Sequence, residues 1–267
     1  PICQIRKMTY QNVNKANQYC RDIVSGKIDA CLYVRQACRR HLDDLERSKD
    51  KSFPWKFDRE KANKACSFIQ HLVHVKGKWA GETIRLEAWQ CFIVACIMGW
   101  TGKKDSLRRF REAFILVPRK NGKSVIAAGL ANFMFLADKE AGAEIYSGAT
   151  TEKQAWEVFR PAKLMIEKTP GLKDYYGVEI FAKSMYHGDR AGRFEPLIGL
   201  AKDGASSSFT IIDEYHQHDT SELFDAMQTG MGARTQPMMF TISTAGTNKA
   251  GPCGVYYDQV VKVLGGV

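Results

Sequence analysis

The sequence contains no stretch of about eighteen uncharged apolar residues, the length a membrane-spanning helix needs. Its longest apolar runs, residues 91–100 and 125–137, are shorter and read as buried helices. Residues 1–10 carry Gln4, Arg6 and Lys7 in place of the apolar core of a signal peptide. A soluble, cytosolic chain is therefore the expectation. The 8 cysteines include no C-x-x-C pair, which argues against a zinc ribbon. Most sit in helical or apolar patterns, where a free thiol packs as a small core residue. Internal repeats and low-complexity segments are also missing. Acidic residues are in deficit: 29 Asp and Glu stand against 39 Lys and Arg, a net charge of +10 over 267 residues. Much of the excess lies early, at Arg35, Arg39, Arg40, Lys76, Lys78, Arg108, Arg109 and Arg111 among others. Such a balance suits a polyanionic partner, and a solvated basic surface accounts for it equally well.

What is present has two textures. Residues 13–24, 30–48 and a segment after Asp58 place apolar side chains at helical spacing. Gly26 is a stop signal for the first and Asp58 an N-cap for the third. Residues 76–84 read as a loop or short hairpin, and 86–100 as a fourth helix closed by Thr101 and Gly102. From Arg109 strands and helices alternate, the pattern of a mostly parallel sheet in an α/β fold. Strands are predicted over 110–117, 143–147, 177–181, 194–200, 209–213 and 237–243. Helices are predicted over 124–137, 151–168, 222–230 and 255–264, the second opened by a capping box from Thr151 to Gln154. Residues 265–267 read as a linker. The division expected is a helical region, 1–105, and a sheet domain, 106–267.

Val117-Pro118-Arg119-Lys120-Asn121-Gly122-Lys123-Ser124 joins a predicted buried strand to a buried helix. A phosphate-binding loop needs that setting, because backbone N–H groups and a helix N-terminus converge there on the anion. Lys123 is placed to reach β- and γ-phosphates and Ser124 to ligate Mg²⁺. Arg119 and Lys120 add positive charge, and Val117 replaces the first glycine of GxxxxGK[ST]. Some ninety residues later the apolar strand at 209–212 ends in Asp213 and Glu214. Asp213 suits the Mg²⁺ shell and Glu214 suits polarisation of an attacking water. Together the two motifs point to ATP hydrolysis. His216 and His218 follow, but no further His or Cys pair lies nearby in sequence to complete a zinc site. Ser243-Thr244-Ala245-Gly246 ends the next strand and is a candidate sensor of the γ-phosphate. In Trp89-Gln90 the amide could both donate to and accept from adenine, but by itself a helix glutamine reads as surface.

In order and spacing these pieces resemble the terminase large subunit of tailed phages, over about residues 86–246. That family characteristically replaces the first loop glycine and carries a basic residue inside the loop, as Val117 and Arg119 do. Residues 86–90 resemble its adenine-recognition segment, 149–155 the segment after its second strand, 211–214 its Walker B strand and 243–246 its coupling motif. The resemblance implies a RecA-like ASCE P-loop ATPase core with a mostly parallel central sheet flanked by helices, preceded by a helical lid. It implies Trp89, Gln90 and residues 118–124 (Pro118, Arg119, Lys120, Asn121, Gly122, Lys123 and Ser124) around ATP, with Ser124 and Asp213 on Mg²⁺. Glu214, Lys123 and Arg119 become the catalytic set. It further implies double-stranded DNA, a portal protein, a small terminase subunit and a usually pentameric homo-oligomeric ring, acting in the host cytoplasm on the procapsid. A basic finger from a neighbour is implied too, with Arg190, Arg193 and Lys202 as candidates. A nuclease domain follows in family members; none is expected within these residues. Two rivals remain open at this stage. Asp213-Glu214-Tyr215-His216 also reads as the DExH box of a superfamily 2 helicase, and a non-hydrolysing nucleotide- and DNA-binding scaffold suits the charge.

Overall fold

The computed structural model describes residues 9–198 and 205–266. It divides into two compact units, Pro1–Ser67 with Leu86–Ser106, and Phe68–Arg85 with Leu107–Val267. The first unit holds α1 (Gln11–Val24), α2 (Leu32–Arg47), β1 (Trp55–Phe57), the start of α3 (Arg59–His71), α4 (Ala88–Gly99) and β2 (Trp100–Gly102). In α1 the buried residues are Val13, Ala16, Cys20 and Ile23, a single apolar stripe. Asp58 caps α3, its Oδ1 accepting the Lys61 N–H at 2.9 Å. Trp100, predicted as the last residue of the fourth helix, instead opens a strand with Thr101 and Gly102. Trp100 pairs with Phe57 across an antiparallel ladder, and its indole is buried. That indole donates to His41 Nδ1 at 3.1 Å, while His41 Nε2 meets Asn17 Oδ1 at 2.9 Å. His41 is thus a neutral core group, and burial pushes its pKa down to about 4.

The second unit is built on a seven-stranded sheet. Its strands are β3 (Glu112–Leu116), β4 (Glu144–Ala149), β5 (Val178–Ile180), β6 (Met185–His187), β7 (Gly192–Ile198), β8 (Phe209–Asp213) and β9 (Met238–Ser243). Their order is β3-β9-β8-β4-β7-β6-β5. The first five in that order are mutually parallel, and β6 and β5 add antiparallel pairs at one edge. Helices α5 (Lys123–Leu136) and α6 (Glu152–Lys168) lie on one face, where Phe194 of β7 meets Phe135 and Phe159. The opposite parity of the strands points Tyr146, Leu197, Ile212 and Met239 into a second core. Leu223, Phe224 and Met227 of α8 (Glu222–Gly230) and Cys253 of α9 (Pro252–Gly265) close that core. Parallel strands buried on both faces explain why residues 209–213 and 238–243 are apolar without alternation. A short helix, α7 (Leu172–Tyr175), follows α6.

Phe68–Arg85 belongs to the sheet unit. The cause is packing: the Phe68 ring meets Phe133 at 5.6 Å, and the Val73 N–H donates to Thr169 Oγ1 at 3.2 Å. The hairpin expected over 76–84 is present in outline, with Val73 bridging Thr83 and the His74 N–H donating to the Glu82 carbonyl at 2.8 Å. Among the described cysteines all are free, and Cys20, Cys38, Cys66, Cys91 and Cys253 are buried. No helix among the described residues is long and apolar enough to cross a membrane.

Candidate active site

Three adjacent parallel strands, β3, β9 and β8, deliver their C-terminal ends to one edge of the sheet. In open α/β sheets this is the edge where ligands bind. The register is tight: Leu116 of β3 pairs with Ser243 of β9, and Ile242 pairs with Asp213 of β8. The ladder continues into the loop, since the Val117 N–H donates to the Ser243 carbonyl at 3.0 Å.

From Val117 the chain turns sharply to enter α5. Lys120 and Gly122 both adopt left-handed backbone, at φ 66° and 74°. Glycine takes that conformation freely and lysine does so at a cost. The Asn121 amide donates to the carbonyls of Pro118 and Arg119 at 3.2 and 3.1 Å, holding the loop from within. Gly122 serves as N-cap without a capping side chain, so the first N–H groups of α5 are left for an anion. Ser124 lies in the first turn of α5, and Pro118, Arg119 and Lys120 are exposed. A cleft of about 470 Å³ opens beside the loop, lined by Leu116, Val117, Pro118, Arg119, Thr244 and Ala245.

The two acids diverge as their order along the strand requires. Asp213 ends β8 in extended backbone and is buried, whereas Glu214 turns into the left-handed region at φ 47°. That turn sends the Glu214 carboxylate across to the loop, where Oε1 accepts from Lys123 Nζ at 3.0 Å. Oε2 takes the Thr244 hydroxyl at 3.3 Å and lies 3.2 Å from His216 Nδ1. The Asp213 carboxylate accepts the Glu214 N–H at 2.9 Å. Burial, and next the charge of Glu214, push the Asp213 carboxyl up to about 6, against the pull of that N–H and of Lys123. His216 is moved downward by burial, with Lys123 and Arg119 acting the same way and Glu214 opposing, so the ring is neutral at pH 7. The buried site therefore concentrates unfavourable negative charge at Asp213, which a cation would relieve.

Lys123, His216 and Thr244 thus meet around Glu214, with Ser243 against His216. The remaining expectations fare differently. Trp89 and Gln90 stand on α4 in the first unit. There the Gln90 Oε1 accepts the Glu87 N–H at 2.9 Å, half of a capping box that the spacing Glu87-x-x-Gln90 would have disclosed. Arg193 is held by this chain's own groups, with Nη2 3.1 Å from Glu144 Oε2 and 2.6 Å from the Tyr146 hydroxyl. Arg190 donates to the Leu136 carbonyl at 3.2 Å. Arg190 stands just ahead of β7 and Arg193 at its start, at the sheet end opposite this chain's own loop. Lys202 lies outside the described residues. No group of three His, Cys, Asp or Glu side chains among the described residues is placed to hold a metal ion, and His218 is buried against the Tyr215 ring. The contact missed from sequence was His216 on Glu214; its signal was position, two residues past the acid in a tight turn.

Residues 88–262 match the family model for the terminase large subunit, ATPase domain. The terminase large subunit of Enterobacteria phage HK97 is 27% identical over 209 residues, 76% of this chain and 40% of that protein. Protein YmfN of Escherichia coli K12 is 48% identical over 64 residues, 24% of this chain and 14% of that one. The chain therefore spans less than half the length of either relative. The crystal structure of the HK97 large terminase superposes with a TM-score of 0.65 at 24% identity, over 76% of this chain and 42% of that one. That superposition supports the RecA-like α/β fold.

Proposed function

The chain belongs to the terminase large subunit family, as its ATPase domain, and on that premise we propose that it hydrolyses ATP to drive double-stranded DNA into a procapsid. The observation that carries the chemistry is the 3.0 Å contact between Lys123 Nζ and Glu214 Oε1, which joins the phosphate loop to the acid strand. Backbone N–H groups of residues 119–124 and the N-terminus of α5 bind the phosphates. The anionic phosphates draw Lys123 away from Glu214 and so free Oε1 to polarise the attacking water. Arg119, exposed on the same loop, adds charge beside the transferred group.

The donor set fits Mg²⁺. Ser124 and Asp213 offer oxygen ligands only, and Asp213 is the group that a divalent charge would most relieve. When bound, the ion would supply neutralisation of phosphate charge; Ser124 and Asp213 would hold it. Thr244 links Glu214 to the end of β9, a route by which the state of the site reaches the coupling turn. Trp89 and Gln90 are the proposed adenine contacts, with the Gln90 amide nitrogen left to donate while its oxygen caps α4. The basic surface is the proposed DNA track. Portal protein, small subunit and a ring of copies in the host cytoplasm are the proposed setting. Neither the helicase nor the non-hydrolysing scaffold is favoured beside a terminase ATPase match of this extent.

The test is Glu214→Gln. Hydrolysis should disappear while ATP still binds, measured by phosphate release and by fluorescent-nucleotide titration. Unchanged turnover would sink the assignment.

A further inference from the structure

From the hydrogen bonds around Glu214 we infer that His216 is a positioning residue for the catalytic acid, acting as an Nδ1–H donor that ties Glu214 to the end of β9. The inference rests on the reading of Glu214 as the group that polarises water. Its geometry is independent of that reading. His216 Nδ1 lies 3.2 Å from Glu214 Oε2 and 3.0 Å from Ser243 Oγ. The Ser243 hydroxyl donates to the Thr244 carbonyl at 3.0 Å, so its hydrogen is committed elsewhere. Its oxygen receives the His216 backbone N–H at 3.1 Å and faces Nδ1 as an acceptor. An ionised carboxylate offers no hydrogen either. Thr244 Oγ1 stands 3.4 Å from both ring nitrogens and does not choose between them, whereas the two nearer acceptors, at 3.0 and 3.2 Å, both face Nδ1 and place the ring hydrogen there.

The two oxygens of Glu214 are therefore held by different elements. Oε1 belongs to Lys123 of α5, and Oε2 to Thr244 and His216. When Lys123 turns to a phosphate, Oε1 is released, and Oε2 stays fastened to β9. His216 thus keeps the acid aimed while its other oxygen works. Gly246 provides the room for this. A Cβ there would sit 2.8 Å from the His216 Cβ, an atom that a rotamer change of the ring does not move. The coupling turn consequently needs glycine at 246 for the sake of His216, and Gly246→Ala should displace the imidazole.

The experiment compares parent, His216→Ala, His216→Asn and Glu214→Gln in single-turnover ATP hydrolysis by the 267-residue chain, beside nucleotide titration. Asparagine restores an N–H donor near the place of Nδ1. His216→Ala should lower the hydrolysis rate roughly ten- to a hundredfold, part of what a positioned base contributes, with nucleotide affinity unchanged. His216→Asn should recover most of that loss. Histidine ¹⁵N spectra of the nucleotide-free chain, assigned by subtraction of the His216→Asn spectrum, should show Nδ1 protonated and Nε2 bare. Full rate in His216→Ala with Glu214→Gln dead overturns the positioning role alone. Glu214→Gln with unchanged turnover overturns the reading of the acid beneath it. An Nε2–H tautomer, or a loss that asparagine does not mend, also overturns the proposal.

Discussion

Replacing Asp213 by asparagine should make the nucleotide-free protein more stable while removing the carboxylate of the proposed Mg²⁺ site. The carboxyl is raised from 3.8 to about 6, chiefly by burial and then by Glu214. At about pH 7.5 it is ionised in both folded and unfolded chains, but only the folded chain holds the charge in an unfavourable place. The difference corresponds to about 3 kcal/mol. The sign follows from proton binding. The folded carboxyl takes a proton more readily than the unfolded one, so its stabilising contribution is complete below about pH 3.8 and lost as pH rises through about 6. Asparagine removes the charge and keeps an oxygen for the Glu214 N–H, which Asp213 accepts at 2.9 Å. The variant should therefore gain up to about 3 kcal/mol at about pH 7.5 and about half of that near pH 5. Urea unfolding in metal-free buffer, followed by tryptophan fluorescence, measures both; Trp156 on α6 reports from the sheet unit. A variant less stable than its parent at the higher pH, or a gain that does not shrink on acidification, would refute the reasoning. In the same preparations Mg²⁺ should add to the stabilisation that nucleotide gives the parent and add little to that of the variant.

Lys123→Ala should weaken nucleotide binding roughly ten- to a hundredfold, the worth of charged hydrogen bonds to phosphate, in a fluorescent-nucleotide titration. His41 predicts acid sensitivity of the first unit. Its pKa falls from 6.5 to about 4 on folding, so the unfolded chain binds the extra proton, and about 3 kcal/mol of stability should be lost as pH drops from about 6.5 towards 4. His41→Gln, a neutral side chain with donor and acceptor, should flatten that dependence in unfolding curves taken across the range. If the basic surface is the DNA track, affinity for duplex DNA should fall steeply between about 50 and 200 mM salt. A flat response in fluorescence anisotropy would count against it.

Some of this was legible in the residues because it is local. The strand at 209–213 and the helix at 222–230 coincide with prediction, as an apolar run bounded by acids and an amphipathic segment do not depend on distant partners. The loop of residues 117–124 was legible for the same reason, and so was the divergence of Asp213 and Glu214 at a strand end. Beyond local reach lay the short strands β1, β2 and β6, three residues each, which exist only because a partner strand pairs with them. Arg193 is paired with Glu144, 49 residues away, a contact no local pattern announces. The tertiary structure also decided what surrounds Glu214. Inserting β9 between β3 and β8 brings Thr244 to a carboxylate 30 residues distant and Lys123 to one 91 residues distant. Sequence alone determined which chemical groups the protein owns and which turns present them. Strand order, set by burial of both sheet faces, decided which of those groups meet.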